Sequence, residues 1–230
     1  YKMGEFKLLL SSYPSRDSRI LFRRDIKRRV RALAPFLQLD QDPYIVNADG
    51  QLYWMIDAYT TSSYFPYSAP YNATEQIQYK EGETQQQLKI GHRSDFDGQN
   101  YLRNPVKVTV NAFTGAVDFY AFDEDDAILK VWDKILPGMF QPRSNMPEAL
   151  QAHIRYPVDY LLTQGLVYAK YHMNDPEVFY NQEDLWIRAT EKYYGSVQPV
   201  EPYYIMWQPP NSEEAGFSLI LPFTPKNRQV

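Results

Sequence analysis

The residues best equipped for chemistry gather between positions 153 and 184. His153, Arg155, His172, Asp175, Glu177, Glu183 and Asp184 lie within a Tyr-rich and acid-rich stretch. A histidine with two carboxylates is the minimal equipment of a hydrolase or a metal site. The spacing does not assemble it, however. His153 and Arg155 are two apart and point differently on any helix, and no face collects His172 with the acids. Ion pairs and helix caps account for the same residues, and the candidate polar cluster is His153, Arg155, His172, Asp175 and Glu183. His92 lies apart, in a polar loop.

A second set is cationic. Arg23, Arg24, Lys27, Arg28 and Arg31 flank the apolar series Phe22, Ile26, Val30 and Leu33, which recurs at helical spacing from Ser18 to Ala34. Ser15 or Ser18 is expected to cap this helix, and Pro35 stops it at Ala34. The bases suit an anionic lipid surface, an acidic envelope protein, or water alone.

Other chemistry finds no support. There is no Gly-x-Ser-x-Gly, no His-Glu-x-x-His, no phosphate-cradling or dinucleotide glycine motif, and only 10 Gly in all. With no Cys, disulfide frameworks and thiolate metal sites drop out. Asp40, Asp42 and Asp49 with Gly50 lack the spacing and the late bidentate Glu of a calcium loop and read as turn residues. No cofactor is called for.

Positions 16–31 hold eight bases and two acids, so against a total of −4 the remainder sums to −10. An acidic body with one basic segment is a poor nucleic-acid binder. No apolar run approaches the ~20 residues that span a bilayer. The opening YKMGEFKLLLSS carries no initiator Met, from which a fragment of a longer protein is expected.

The elements that must position these residues are mixed. Tyr44–Asn47 and Gln51–Tyr59 flank Asn47-Ala48-Asp49-Gly50 as one hairpin. Val106, Val108 and Val110, then Val117, Phe119 and Ala121, form another across Thr114-Gly115. Asp123 to Asp126 front a helix bearing Ile128, Trp132 and Ile135. Pro147, Pro157 and Pro176 open short helices, and strand-like runs return at Leu185–Ala189, Tyr203–Trp207 and Phe217–Leu221. The stretch 72–99 shows little periodicity and reads as a variable or poorly ordered loop. The 17 Pro and 20 Tyr suit irregular connections and half-buried sheet positions. The expected fold is α+β, with antiparallel hairpins and helices concentrated between Asp125 and Tyr180, as one domain or part of one over 1–230.

Longer strings are distinctive. RRDIKRRVRALAPFL (Arg23 to Leu37), DPYIVNADGQLYWMIDAYTTSSYFPYS (Asp42 to Ser68), NYLRNPVKVTVNAFTGAVDFYAFD (Asn100 to Asp123) and MPEALQAHIRYPVDYL (Met146 to Leu161) occur in one order. YHMNDPEVFYNQEDLW, VEPYYIMW and LPFTP follow them. Together they resemble uncharacterised protein family 0182, large bacterial membrane proteins. The resemblance implies transmembrane helices N-terminal to a large extracytoplasmic region, of which this chain is similar to the middle. It carries no activity or catalytic residues.

The function expected on these grounds is a non-catalytic extracytoplasmic domain that binds a partner or ligand for its own transmembrane region. The alternatives are an envelope-modifying hydrolase using the carboxylates at 175–184, and a scaffold that self-assembles, for instance through an unpaired edge at Phe217–Leu221.

Overall fold

The computed structural model describes residues 10, 12, 15–17, 23–72, 74–81, 84–91, 94–210 and 212–226, with the backbone alone at 75–81, 84–91 and 94. Phe22, Ser18 and His92 lie outside them. The fold is α+β, as the hairpin turns and proline-opened helices require.

The basic segment forms a helix, α1, over Ile26–Leu33, shorter than the periodicity suggests. Arg23 adopts φ 52°, outside the helical region, and Asp25 caps the start by accepting from the Arg28 amide at 2.8 Å. The cap of this helix is therefore Asp25 rather than Ser15, and Ser18 lies outside the described residues. Ile26 and Val30 face the core, but Leu33 is exposed, because the chain turns inward at Ala34 and Leu37, both buried.

Next come β1 (Gln38–Leu39), β2 (Tyr44–Ala48) and β3 (Gln51–Ser62), with β1 and β2 paired along one edge of β3. The β2–β3 turn carries Asp49 and Gly50 at φ 51° and 75°, the positive pair that a two-residue type I′ hairpin needs. The stretch read as a loop holds a hairpin of its own, β4 (Thr74–Glu81) with β5 (Thr84–Gly91). Its strands are rich in Gln, and Ile77, Tyr79, Leu88 and Ile90 make too short an alternation to stand out among the polar residues.

β6 (Tyr101–Asn111) pairs antiparallel with β3 and with β7 (Val117–Ala121), past a bulge between Ala58 and Thr60. α2 (Ala127–Ile135) then crosses to β8 (Phe140–Pro142), which pairs parallel to β7. The expected hairpins are antiparallel, and this is the one parallel pair among the described strands. A helical crossover is the connection that makes it possible. The result is a six-stranded sheet.

Its two faces differ in character. Ile56, Ala58, Val106, Val108, Val110 and Phe119 form an apolar face under α1 and α2, closed by Leu129, Trp132 and Phe36, whose rings stack at 3.8 Å. α2 is capped by Asp126, whose Oδ1 accepts from the Leu129 amide at 2.6 Å, as the acid cluster implied. The opposite face carries Met55, Asp57, Tyr59, Lys107, Thr109 and Tyr120, all buried. Alternation such as Val-Lys-Val-Thr-Val ordinarily marks one wet face. Here α3 (Glu148–Gln151) and α4 (Val158–Tyr171) cover that face, so its polar residues must find partners inside.

After α5 (Pro176–Asn181) the chain forms β9 (Trp186–Arg188), β10 (Thr190–Tyr193), β11 (Ser196–Pro199), β12 (Tyr203–Trp207), β13 (Gly216–Ile220) and β14 (Phe223–Pro225). These pair as β10–β11, β12–β13 and β9–β14. The strand expected to lack a neighbour, β13, is therefore matched by β12.

Candidate ligand-binding site

The buried polar face is organised around three carboxylates, those of Asp40, Asp57 and Asp159. Lys107 Nζ donates to Asp57 Oδ1 and to Asn104 Oδ1 at 2.5 Å, while Asn104 Nδ2 donates to the Ala58 carbonyl at 3.0 Å. Beside this pair the Tyr59 hydroxyl donates to Asp40 Oδ2, and Asp159 on α4 accepts from the Gln41 amide at 2.9 Å. Burial pushes the Asp57 carboxyl up from its ordinary range, with Lys107 opposing the shift and Asp40 adding to it. Burial, then Asp40, raises the Tyr59 phenol well above its usual value. The network is satisfied and closed. It holds α4 to the sheet and leaves none of these carboxylates presented to solvent as an acid or base.

Where α4 crosses the start of β6, two hollows open side by side. One is a cleft of about 1210 Å³ between the segment 67–72, the first residues of β6 and the outer face of α4, with Leu221 and Phe223 at its far end. Its walls are mostly aromatic and aliphatic, including Tyr71, Tyr101, Leu161, Val167 and Tyr168. Gly165 sits in the middle of α4 because β14 comes in close: a Cβ there would stand 2.8 Å from the Phe223 ring and 2.9 Å from Leu221.

The other hollow, about 470 Å³, is lined by Arg103, Lys107, Arg143 and Arg155, with Asp123 as the one carboxylate of the lining and Phe122, Tyr156 and Phe217 as apolar walls. Arg103 and Tyr160 line both hollows, so the basic pocket and the aromatic cleft are neighbours.

The four cations of the pocket are not equivalent. Lys107 is matched by Asp57, and Arg155 by Asp42 at 2.6 Å. Arg155 is further wedged between the rings of Tyr44 and Tyr204, at 3.9 and 4.7 Å from their centroids. Arg143 lies over the Phe122 ring at 4.8 Å, and Arg103 stands near Tyr101 and Tyr160. Among the described residues neither Arg103 nor Arg143 has a carboxylate partner.

Of the cluster proposed from sequence, Arg155 alone reaches this site. His153 is exposed on the turn after α3. His172 closes α4, stacked on Trp186 at 3.9 Å, with Nδ1 3.2 Å from the Tyr168 carbonyl and Nε2 3.6 Å from Asp184. Asp175 caps α5, accepting from the Glu177 and Val178 amides at 2.8 and 3.2 Å, and Glu183 accepts from Asn181 at 3.1 Å. Caps and pairs thus account for Asp175, Glu183 and Asp184, and the structure does not bring the set together. Among the described residues no group of three or more His, Cys, Asp or Glu is placed to hold a metal.

Of the helix bases, Arg23, Arg24, Arg28 and Arg31 are exposed, whereas Lys27 donates to the Gln41 carbonyl at 2.7 Å. Arg29, on the same helix, donates to the Gly115 carbonyl at 2.9 Å.

A family model described as uncharacterised protein family (UPF0182) matches residues 1–230. The chain belongs to this family. It is 48% identical over 229 residues to a UPF0182 protein of Pelotomaculum thermopropionicum, covering all of this chain and 22% of that protein. A Salinibacter ruber member is 44% identical over 230 residues, covering 99% of this chain and again 22% of the relative. A Desulforamulus reducens member is 43% identical over 230 residues, at 100% and 22%. The chain spans about a fifth of the length of these UPF0182 relatives. No solved structure matches it. Among the described residues no helix is long and apolar enough to cross a membrane.

Proposed function

We propose that this chain is a non-catalytic, ligand-binding region of a multi-pass bacterial membrane protein, held on the extracytoplasmic side. The observation that carries the binding part is a roomy aromatic cleft set beside a basic pocket, with Arg103 and Tyr160 lining both. Concave, largely apolar hollows with a few convergent polar groups are where proteins hold small ligands. The carboxylates that a hydrolase would use at 175–184 serve instead as a cap and as partners of Asn181 and His172, outside both hollows. The membrane setting rests on the family resemblance described from the sequence, and the exposed bases of α1 suit an anionic lipid surface beside it.

Two measurements test this. The chain has no cysteine, so Tyr194→Cys, at a 93% exposed position, introduces one thiol into it. A membrane-impermeant maleimide should label that thiol, above the background of the unsubstituted protein, in intact cells. Labelling only after lysis would overturn the extracytoplasmic placement. Separately, the native protein should retain a small molecule from its own cell extract that the cleft-filling variant Ala69→Trp loses, as read by mass spectrometry. Retention of the same molecules by both would remove the cleft as the binding site.

A further inference from the structure

The two hollows ask for different chemistry, and their junction says how the two belong together. The cleft offers Tyr71, Leu161, Val167 and Phe223, surfaces on which hydrocarbon displaces water favourably. The pocket offers Arg103 and Arg143, whose guanidiniums lack carboxylate partners among the described residues. Lys107 and Arg155 are already neutralised by Asp57 and Asp42, and Asp123 offsets one of the two remaining charges. The mouth of the pocket therefore keeps a net positive charge beside an apolar trough. Guanidinium forks are the side chains best matched to phosphate and carboxylate oxygens.

Resting on the ligand-binding reading above, we propose that the combined site takes a single-chain lipid with an acidic, oxyanionic head. The head sits between Arg103 and Arg143, and the chain passes Tyr160 into the cleft under α4. A free inorganic anion would leave the cleft empty, and a neutral amphiphile would leave the net positive charge of the pocket unmatched. The aromatic walls of the pocket, Phe122, Tyr156 and Phe217, would exclude water around the head and strengthen the ionic contacts.

The test is photo-crosslinking on the native protein in its own membranes, with a diazirine-bearing long-chain phosphate monoester as the probe. Adducts should map to the α4 peptide containing Tyr160 to Tyr171. Dodecyl phosphate should compete, while inorganic phosphate and dodecyl maltoside should not. Arg103→Ala and Arg143→Ala should each weaken competition by dodecyl phosphate roughly tenfold, the loss of a charge-assisted contact. Val167→Glu, a half-exposed cleft position, should reduce labelling without disturbing the core. If a diazirine-bearing alcohol of the same chain labels α4 equally and the arginine variants change nothing, the acidic head falls while the binding cleft stands. If inorganic phosphate competes as well as dodecyl phosphate, the lipid chain falls. No α4 adduct with either probe would overturn the proposal, and the retention experiment with Ala69→Trp would then decide the broader reading by itself.

Discussion

The guanidinium of Arg155 lies 3.9 Å from the centre of the Tyr44 ring and 2.6 Å from a carboxylate oxygen of Asp42, joining the turn after α3 to the edge of the sheet. On its other side it meets Tyr204, whose hydroxyl donates to the Tyr156 carbonyl at 2.7 Å, so the β12–β13 hairpin is fastened to the body at this point. A stacked and paired guanidinium contributes ~1–2 kcal/mol when partly desolvated. Arg155→Ala should therefore lower unfolding free energy by about that much in urea. Arg155→Lys should recover less than half of it, because the planar stack is lost. Hydrogen exchange at 203–207 should accelerate in both variants; unchanged exchange there would show that the hairpin does not depend on Arg155.

Asp57 and Lys107 make a sharper case. Both are buried, and their environment raises the Asp57 carboxyl even against the Lys107 charge, so desolvation outweighs attraction. Removing one partner leaves the other buried and unpaired, at ~3–5 kcal/mol. Asp57→Asn and Lys107→Met should each be that costly, while the double variant should recover most of the loss because no buried charge remains. A double-mutant cycle by urea unfolding measures this directly. Additive losses would mean that the two side chains are not coupled as the geometry shows.

The same pair explains what could be read in advance. Val106, Val108 and Val110 announced their strand by alternation, and Asp49-Gly50 announced the turn of its neighbour, because hairpin and strand signals are local. Asp126 and Asp175 were legible as caps for the same reason. Nothing local says that Lys107 points into a covered face, since that depends on α4, which follows 51 residues later and docks through Asp159. Arg103 and Arg143 are forty positions apart and meet only when β6 and the turn after β8 are in place. The one advance hint was a charged residue inside each of two strongly apolar strands, Asp57 in Trp54–Tyr59 and Lys107 in Val106–Val110, opposite signs that suit a cross-strand pair. The parallel β7–β8 pair had no hint, because Phe140–Pro142 is too short to show a period.

Gly165 sets two effects against each other. Alanine in a helix interior gains ~1 kcal/mol over glycine. At this position, however, the added methyl would stand 2.8 Å from Phe223 and 2.9 Å from Leu221, closer than carbon atoms pack. Overpacking of this kind costs ~1–3 kcal/mol. Gly165→Ala should thus be net destabilising, by ~1–2 kcal/mol, and should shift β14 away from α4. Pairing it with Phe223→Leu should return stability to near the starting value. A stabilised single variant would show that the helix and strand lie further apart than 2.8 Å implies.

The tyrosines provide a pH signature. Burial, then hydrogen bonding to Asp126, pushes the Tyr101 phenol from 10.0 to about 12. Burial raises Tyr204 to about 12 as well, with Arg155 pulling the other way, and it raises Tyr44 and Tyr59 too. Each of these groups has a folded pKa above its unfolded one, so the folded state prefers the protonated phenol. Their contribution to stability is then fully present below the unfolded value of about 10 and is lost as pH rises through about 12. An absorbance titration at the tyrosinate band, followed in parallel by circular dichroism, tests this. Tyr59, fully buried, and the half-buried Tyr44, Tyr101 and Tyr204 should ionise with unfolding, in one cooperative step seen also by circular dichroism. Tyr204→Phe should remove one phenol from that step. Ionisation of these four phenols near their ordinary value with no accompanying unfolding would contradict the buried placement of Tyr59 and the partly buried placement of Tyr44, Tyr101 and Tyr204.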